Sequence, residues 1–208
     1  MNRFTKFLPW AALLLASLLT ACVSKPDLPL VPSAIQNPAK AYAWEMTGKI
    51  LVKTPDDKVS TNLYWLHAPR REELRLTSML GTSLLSMTVT PEQTSLTADG
   101  KTYRDDDPEL LLQRLSGWQV PVTQLPDWLT GQFNDEDVIT RDANGRPSEL
   151  QTPAPASWHI RVQSWQPGNP HIPRLMLVFR AGIELKIQIN HWQALAPADT
   201  PASNRVQS

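Results

Sequence analysis

Strict two-residue alternation is the feature of this chain that most narrows its possible folds. In residues 44–53, Trp44, Met46, Gly48, Ile50 and Val52 fall on one side, and Glu45, Thr47, Lys49, Leu51 and Lys53 on the other. In residues 183–190, Ile183, Leu185, Ile187 and Ile189 alternate with Glu184, Lys186, Gln188 and Asn190. Successive side chains of a strand point to opposite faces, so this period marks half-buried strands whose apolar face needs a cover. Val59, Thr61, Leu63 and Trp65 repeat the pattern, as do Trp158, Ile160 and Val162. Further strands are predicted over residues 73–77, 84–90, 137–141, 147–152 and 174–180, with two short ones ending at Tyr103. Turn residues separate them, and the pairs Asp99, Gly100 and Asn144, Gly145 are strong hairpin signals. The reading is a mainly β fold of roughly ten antiparallel strands.

One stretch breaks the alternation. Asp107 is placed to cap a helix, with Pro108 at its first position and Glu109 at the positive end of the dipole. Leu110, Leu111, Leu112 and Leu115 form the expected apolar side, and Gly117 ends the helix. A second short helix is predicted from Thr123 or Pro126 through Trp128 and Leu129 to Gly131. The connection between them, Trp118 to Val122, is unusually apolar for a loop. Another apolar pair, Met79 and Leu80, sits beside the turn-forming Gly81, Thr82 and Ser83, where polar residues are expected. Leu80 either folds back onto the core or forms an exposed apolar tip.

The first 22 residues run from Arg3 and Lys6 through an apolar block to Leu19, Thr20, Ala21 and Cys22. A basic end, a short apolar region and small residues before a cysteine read as a secretory signal. The alternative, a transmembrane anchor, is disfavoured by the shortness of the apolar run and by Pro9 within it. The closing four residues resemble the lipobox of bacterial lipoproteins. That resemblance implies cleavage after Ala21 and attachment of a diacylglyceryl group and an N-acyl chain to Cys22. The same resemblance implies the outer membrane, because Val23 stands where lipoproteins retained at the inner membrane have an aspartate after the cysteine. Residues 22–38 include Pro26, Pro29, Pro32 and Pro38 and are expected to be an extended tether. The segment 194–208, rich in Ala, Pro, Ser and Thr, is expected to be disordered.

Composition removes several functional classes. The chain has 20 basic and 20 acidic residues; the 21 residues before Cys22 take Arg3 and Lys6 with them and no acid. The near-neutral remainder has no basic stripe for nucleic acid. Cys22 is the only cysteine, so no internal disulfide can form. His67, His159, His171 and His191 lack metal-ligand spacing, and no cofactor is expected. Residues 81–85 miss the nucleophile-elbow pattern at its last position. Neither a phosphate loop nor an acid/base pair is evident, so an enzyme is not expected.

The lipobox, the segment 44–50, Trp65, Leu80 with Gly81 and Thr82, Asp107 to Leu111, Trp128 to Gly131, and Ile187 to Trp192 resemble, in this order, the LolB family of bacterial lipoprotein sorting. The similarity covers most of the chain from Cys22 to about Trp192. It implies an open, half-closed antiparallel β-barrel covered by short helices, with the binding domain at 39–193. It also implies a monomeric receptor that takes lipoproteins from the periplasmic carrier LolA and inserts them into outer-membrane lipid. A loop carrying an exposed leucine serves insertion in this family; Leu80 matches it, flanked here by Met79 and Gly81. An acyl-chain cavity needs broad apolar walls, and several residues could supply them: Trp65, Trp128, Trp158 and Trp192 among the tryptophans; Ile50, Leu63, Leu76, Leu85 and Met87 in the first half; Leu177, Phe179, Leu185 and Ile187 in the second. Each could equally be ordinary core. Two other classes remain open: an assembly lipoprotein holding a protein partner, and a lipid-modifying enzyme.

Overall fold

The alternating stretches all join one sheet. The structure, a computed structural model, describes residues 29–199. Its strands are β1 (Leu30–Pro32), β2 (Ala43–Lys53), β3 (Lys58–Ala68), β4 (Arg71–Thr77), β5 (Ser83–Val89), β6 (Thr94–Ala98) and β7 (Lys101–Asp105). Two helices follow, α1 (Pro108–Ser116) and α2 (Leu125–Leu129). The chain then returns through β8 (Val138–Arg141), β9 (Pro147–Gln151), β10 (His159–Trp165), β11 (Pro173–Arg180) and β12 (Ile183–Pro197).

The strand order is β7-β6-β5-β4-β3-β2-β12-β11-β10-β9-β8, and every pairing is antiparallel. The end strands β7 and β8 do not pair, so the sheet curls without closing. The helices lie in the connection between those two edges. Chain order therefore places them where they cover the open barrel. Long-range register fixes which residues look inward: Ile187 pairs with Ile50 and Leu185 with Val52, and Leu63 pairs with Leu76. All six are buried.

Gly48 is required by a close approach at the centre of this sheet. A Cβ there would lie 2.1 Å from the carbonyl oxygen of Gln188. The site adjoins an irregularity in the β2–β12 ladder between Ile189 and His191, where the paired backbones crowd.

The domain is longer at both ends than residues 39–193. β12 continues to Pro197, and Ala194, Leu195 and Ala196 are buried. Its last residues pair with β1, Leu30 opposite Pro197. Ser33 N–H donates to the Ala194 carbonyl at 2.8 Å, and the Gln193 side chain donates to the Ser33 carbonyl at 2.7 Å. Residues 30–38 are thus part of the body, not tether, and 194–197 are strand, not tail. Proline is tolerated here because a short edge strand has few ladder bonds to lose. With β1 included, the strands among the described residues number twelve. The proposed signal, Cys22 and the segment from 200 onward lie outside the described residues.

Candidate functional site

Where the inward faces of β2, β3, β4 and β12 line the interior cavity they are apolar, although Thr61 of β3 is buried on the same face outside that lining. Ile50, Val52, Leu63 and Trp65 line its centre, with Leu74, Leu76 and Ile187 beside them. The opposite wall is the helical segment: Leu112 of α1, Leu125 and Leu129 of α2, and Trp118, Val120 and Val122 between them. The apolar loop noted in the sequence is therefore the roof of the interior. The space left between wall and roof is about 20 Å³, room for roughly one water and, being apolar, a place water avoids. The interior is filled in this state.

What holds the roof is mostly apolar contact. Asp107 caps α1, its carboxylate accepting from the N–H groups of Glu109 (2.9 Å) and Leu110 (3.0 Å). Thr123 Oγ1 donates to Glu109 at 2.6 Å, tying the loop to α1. To the sheet, Arg114 pairs with Asp105 at 2.9 Å, and Arg180 donates to Gln119 at 2.6 Å. Among the described residues, no backbone hydrogen bond joins α1, α2 or their connection to a strand. The roof is a separate layer, tied to the sheet by side chains.

A polar cluster stands at one end of the interior. Trp65 Nε1 donates to Glu72 Oε2 at 2.7 Å, and His67 Nδ1 pairs with the other Glu72 oxygen. Trp44 stacks on His67 with ring centroids 5.1 Å apart. On α2, burial holds the Asp127 carboxyl above its ordinary range; His67 opposes this shift and Glu72 adds to it.

The expected cavity residues divide by location. Ile50, Leu63, Trp65, Leu76 and Ile187 form the cavity wall. Leu85, Met87, Trp128, Trp158 and Leu185 are buried in the same core but do not border the cavity. Trp192 is half-buried against the core, and its indole N–H has no partner. Leu177 and Phe179 do not face inward. Met176 and Val178 do, opposite Ile187 and Leu185, which puts Leu177 and Phe179 on the outer face, where Phe179 stacks on His159. Leu110, expected on the buried side of α1, is 51 % exposed. The sequence reading missed Val52, Leu74 and the roof residues.

The β4–β5 connection is an apolar tip. Leu80 is 96 % exposed, Met79 60 % and Leu84 41 %. Leu80 does not fold back onto the core. Ser78 organises the turn: its N–H donates to the Thr82 carbonyl (2.8 Å), and its hydroxyl accepts from Thr82 N–H (3.1 Å) and Leu80 N–H (3.3 Å). Asn62 of β3 donates to the Ser78 carbonyl at 2.9 Å. Gly81 turns the chain at φ +87°, a conformation glycine adopts without penalty. A well-braced loop thus holds an apolar side chain in water.

Among the described residues, no His/Asp/Glu group could hold a metal, and no helix is long and apolar enough to cross a membrane. The arrangement defines a class: an unclosed β-barrel with an apolar interior under a helical roof and an exposed apolar finger. The family model for the outer membrane lipoprotein LolB matches residues 42–192. The outer-membrane lipoprotein LolB of Shewanella woodyi is 45 % identical over 208 residues, covering 98 % of this chain and 97 % of that protein. Its counterpart from Shewanella loihica is 42 % identical over 200 residues, covering 95 % and 93 %. The chain is also similar to the crystal structure of a LolA superfamily protein from Nitrosomonas europaea, at 11 % identity and a TM-score of 0.45, over 83 % of this chain and 97 % of that one. The chain belongs to the LolB family of outer-membrane lipoproteins, a family of lipoprotein sorting and not of enzymes.

Proposed function

We propose that the chain is an outer-membrane receptor that accepts lipoproteins from the periplasmic carrier LolA, shelters their acyl chains inside the barrel and inserts them into the membrane. Cys22 carries the lipid anchor. The observation that carries this reading is the apolar cavity lining under a roof without backbone ties to the sheet. A closed space of about 20 Å³ holds no acyl chain, so loading displaces the roof and the chain replaces its apolar contacts. Each buried methylene is worth roughly 0.8 kcal/mol, so a long chain offsets the contacts it disrupts. Handover then needs only a small preference over the carrier, about 1.4 kcal/mol for each tenfold.

Leu80 serves delivery, entering the lipid interface as the cargo leaves. The tip's base is in register with Gln188, through Thr77, Asn62 and Lys49, whereas Leu30 is opposite Pro197. Anchor and tip thus leave the body toward opposite ends of the strands, about 30 Å apart along β12 at ~3.3 Å per residue. The chain from Cys22 to Leu30 spans at most ~29 Å, so the body must lie along the membrane for both to engage it.

The test is transfer of a labelled lipoprotein from the purified carrier to liposomes bearing the lipid-anchored protein. Transfer that depends on the folded protein supports the reading. Failure of folded, anchored protein to accept or release cargo overturns it.

A further inference from the structure

A second recess, about 160 Å³, lies beside the closed cavity. Its walls are Met87 and Val89 of β5, Pro108 at the start of α1, and Thr123 and Pro126 near α2. Trp65, Leu74 and Val122 border both spaces. One indole and two aliphatic side chains therefore stand between the recess and the closed interior. The Trp65 indole is pinned by its hydrogen bond to Glu72. Glu72 is the only ionisable group in the recess wall, and both its oxygens are engaged, by Trp65 and His67. The rest of the recess wall is mainly apolar, with Thr123 its one other polar side chain. An apolar cavity of about 150 Å³ accommodates a benzene-sized ligand, which corresponds to a segment of one acyl chain and not two side by side.

We propose that this recess is the portal through which acyl chains enter, one at a time, with Trp65 and Val122 as its gate. The inference rests on the acyl-carrier reading above and adds the route. The first segment of a chain occupies the recess in the closed state. Displacing Val122 with the α1–α2 connection then joins recess and cavity into one apolar channel. The portal also lies away from the finger. Glu72 and Val89 flank the β3–β4 turn end of the sheet, while Leu80 projects from the other end of β4. Loading and delivery then occupy opposite ends of the barrel, so cargo can be received while the tip is in lipid. The competing opening, near Gln113, Gln119, Ala156 and Trp158, is lined with polar groups including Asp107 and Arg180, a poor path for a hydrocarbon.

The experiment is time-resolved photolabelling of the purified protein with a long-chain fatty acid carrying a terminal diazirine, alongside loading rates of a fluorescent fatty acid. Early label is expected on Met87, Val89, Val122 or Pro126, and later label on Leu63 or Leu76. Val89→Trp, which fills the recess, should slow loading at least tenfold, whereas Leu110→Trp at the polar opening should leave it unchanged. Early label on Gln113, Ala156 or Trp158, or normal loading by folded Val89→Trp, overturns the portal and leaves the carrier reading standing. Should Val89→Trp fail to fold, the order of labelling on the unaltered chain decides. Absence of label from every inward-facing residue overturns the portal and the carrier reading together.

Discussion

Leu80→Glu separates delivery from every other property of the protein. The side chain is 96 % exposed, and the bonds that shape the turn come from Ser78, Asn62 and backbone groups. Substitution should therefore change folding stability by no more than about 0.5 kcal/mol. Burying a leucine side chain is worth about 1.5–3 kcal/mol. At 1.4 kcal/mol per decade, losing that term cuts the membrane-engaged population by about tenfold to a hundredfold, and a carboxylate at the interface lowers it further. The assay follows a fluorescent lipoprotein from the carrier to the anchored protein and then into liposomes, scoring acceptance and insertion separately. Acceptance should be normal and insertion slowed by at least tenfold; Leu80→Phe should insert normally. Normal insertion by folded Leu80→Glu would refute the reasoning. Loss of acceptance instead would assign the tip to carrier docking.

Four further outcomes follow from the geometry. Gly48→Ala forces a Cβ to 2.1 Å from the Gln188 carbonyl oxygen and should cost 3 kcal/mol or more, at or beyond the upper range for overpacking; denaturant melts will show it. Asp107→Ala removes the cap of α1 and about 1 kcal/mol of helix stability, so hydrogen exchange in residues 108–116 should accelerate while the sheet remains protected. The Asp105 carboxyl is held below its ordinary value of 3.8, first by the Asp107 N–H and then by Arg114. Its contribution is therefore complete above that value and disappears as pH falls through the depressed one, and Asp105→Asn should flatten the acid limb of a thermal-melt series. Deleting residues 24–28 leaves a tether of at most ~11 Å, enough for a body that lies along the membrane, so acceptance and insertion should both persist in the same transfer assay; lost insertion would mean an upright body.

Most of the sheet was legible because one of its faces is wet. β2, β3 and β12 carry mostly polar residues on their outward positions, Leu51 and Leu66 excepted, so their inward faces could be read directly. Asp107, Pro108 and Gly117 marked both ends of α1 by local chemistry alone. β11 resisted, because Leu175, Met176, Leu177, Val178 and Phe179 are apolar at both parities. Arg174 and Arg180 share parity with Met176 and Val178, so they pointed to the wrong inner face; the register Met176 opposite Ile187 decides it. β1 was hidden for a different reason. Its residues read as proline-rich tether, and only the extension of β12 past its irregularity at His191 provides the partner. The roof had one local signal, the apolar run Trp118 to Val122. Its closure over the interior depends on side chains from four strands and two helices, which no local pattern encodes. Leu80 was conspicuous as an apolar residue at a turn, while its exposure required the geometry of Ser78 and Gly81.

The central claim is that the apolar wall takes acyl chains when the roof lifts. A crystal structure of the protein with a bound long-chain acyl ligand tests it most directly. The account predicts hydrocarbon density against Ile50, Leu63, Trp65, Leu76 and Ile187, with residues 118–129 displaced from the sheet. Ligand bound elsewhere, with Val120, Val122 and Leu129 still seated on that wall, would contradict it.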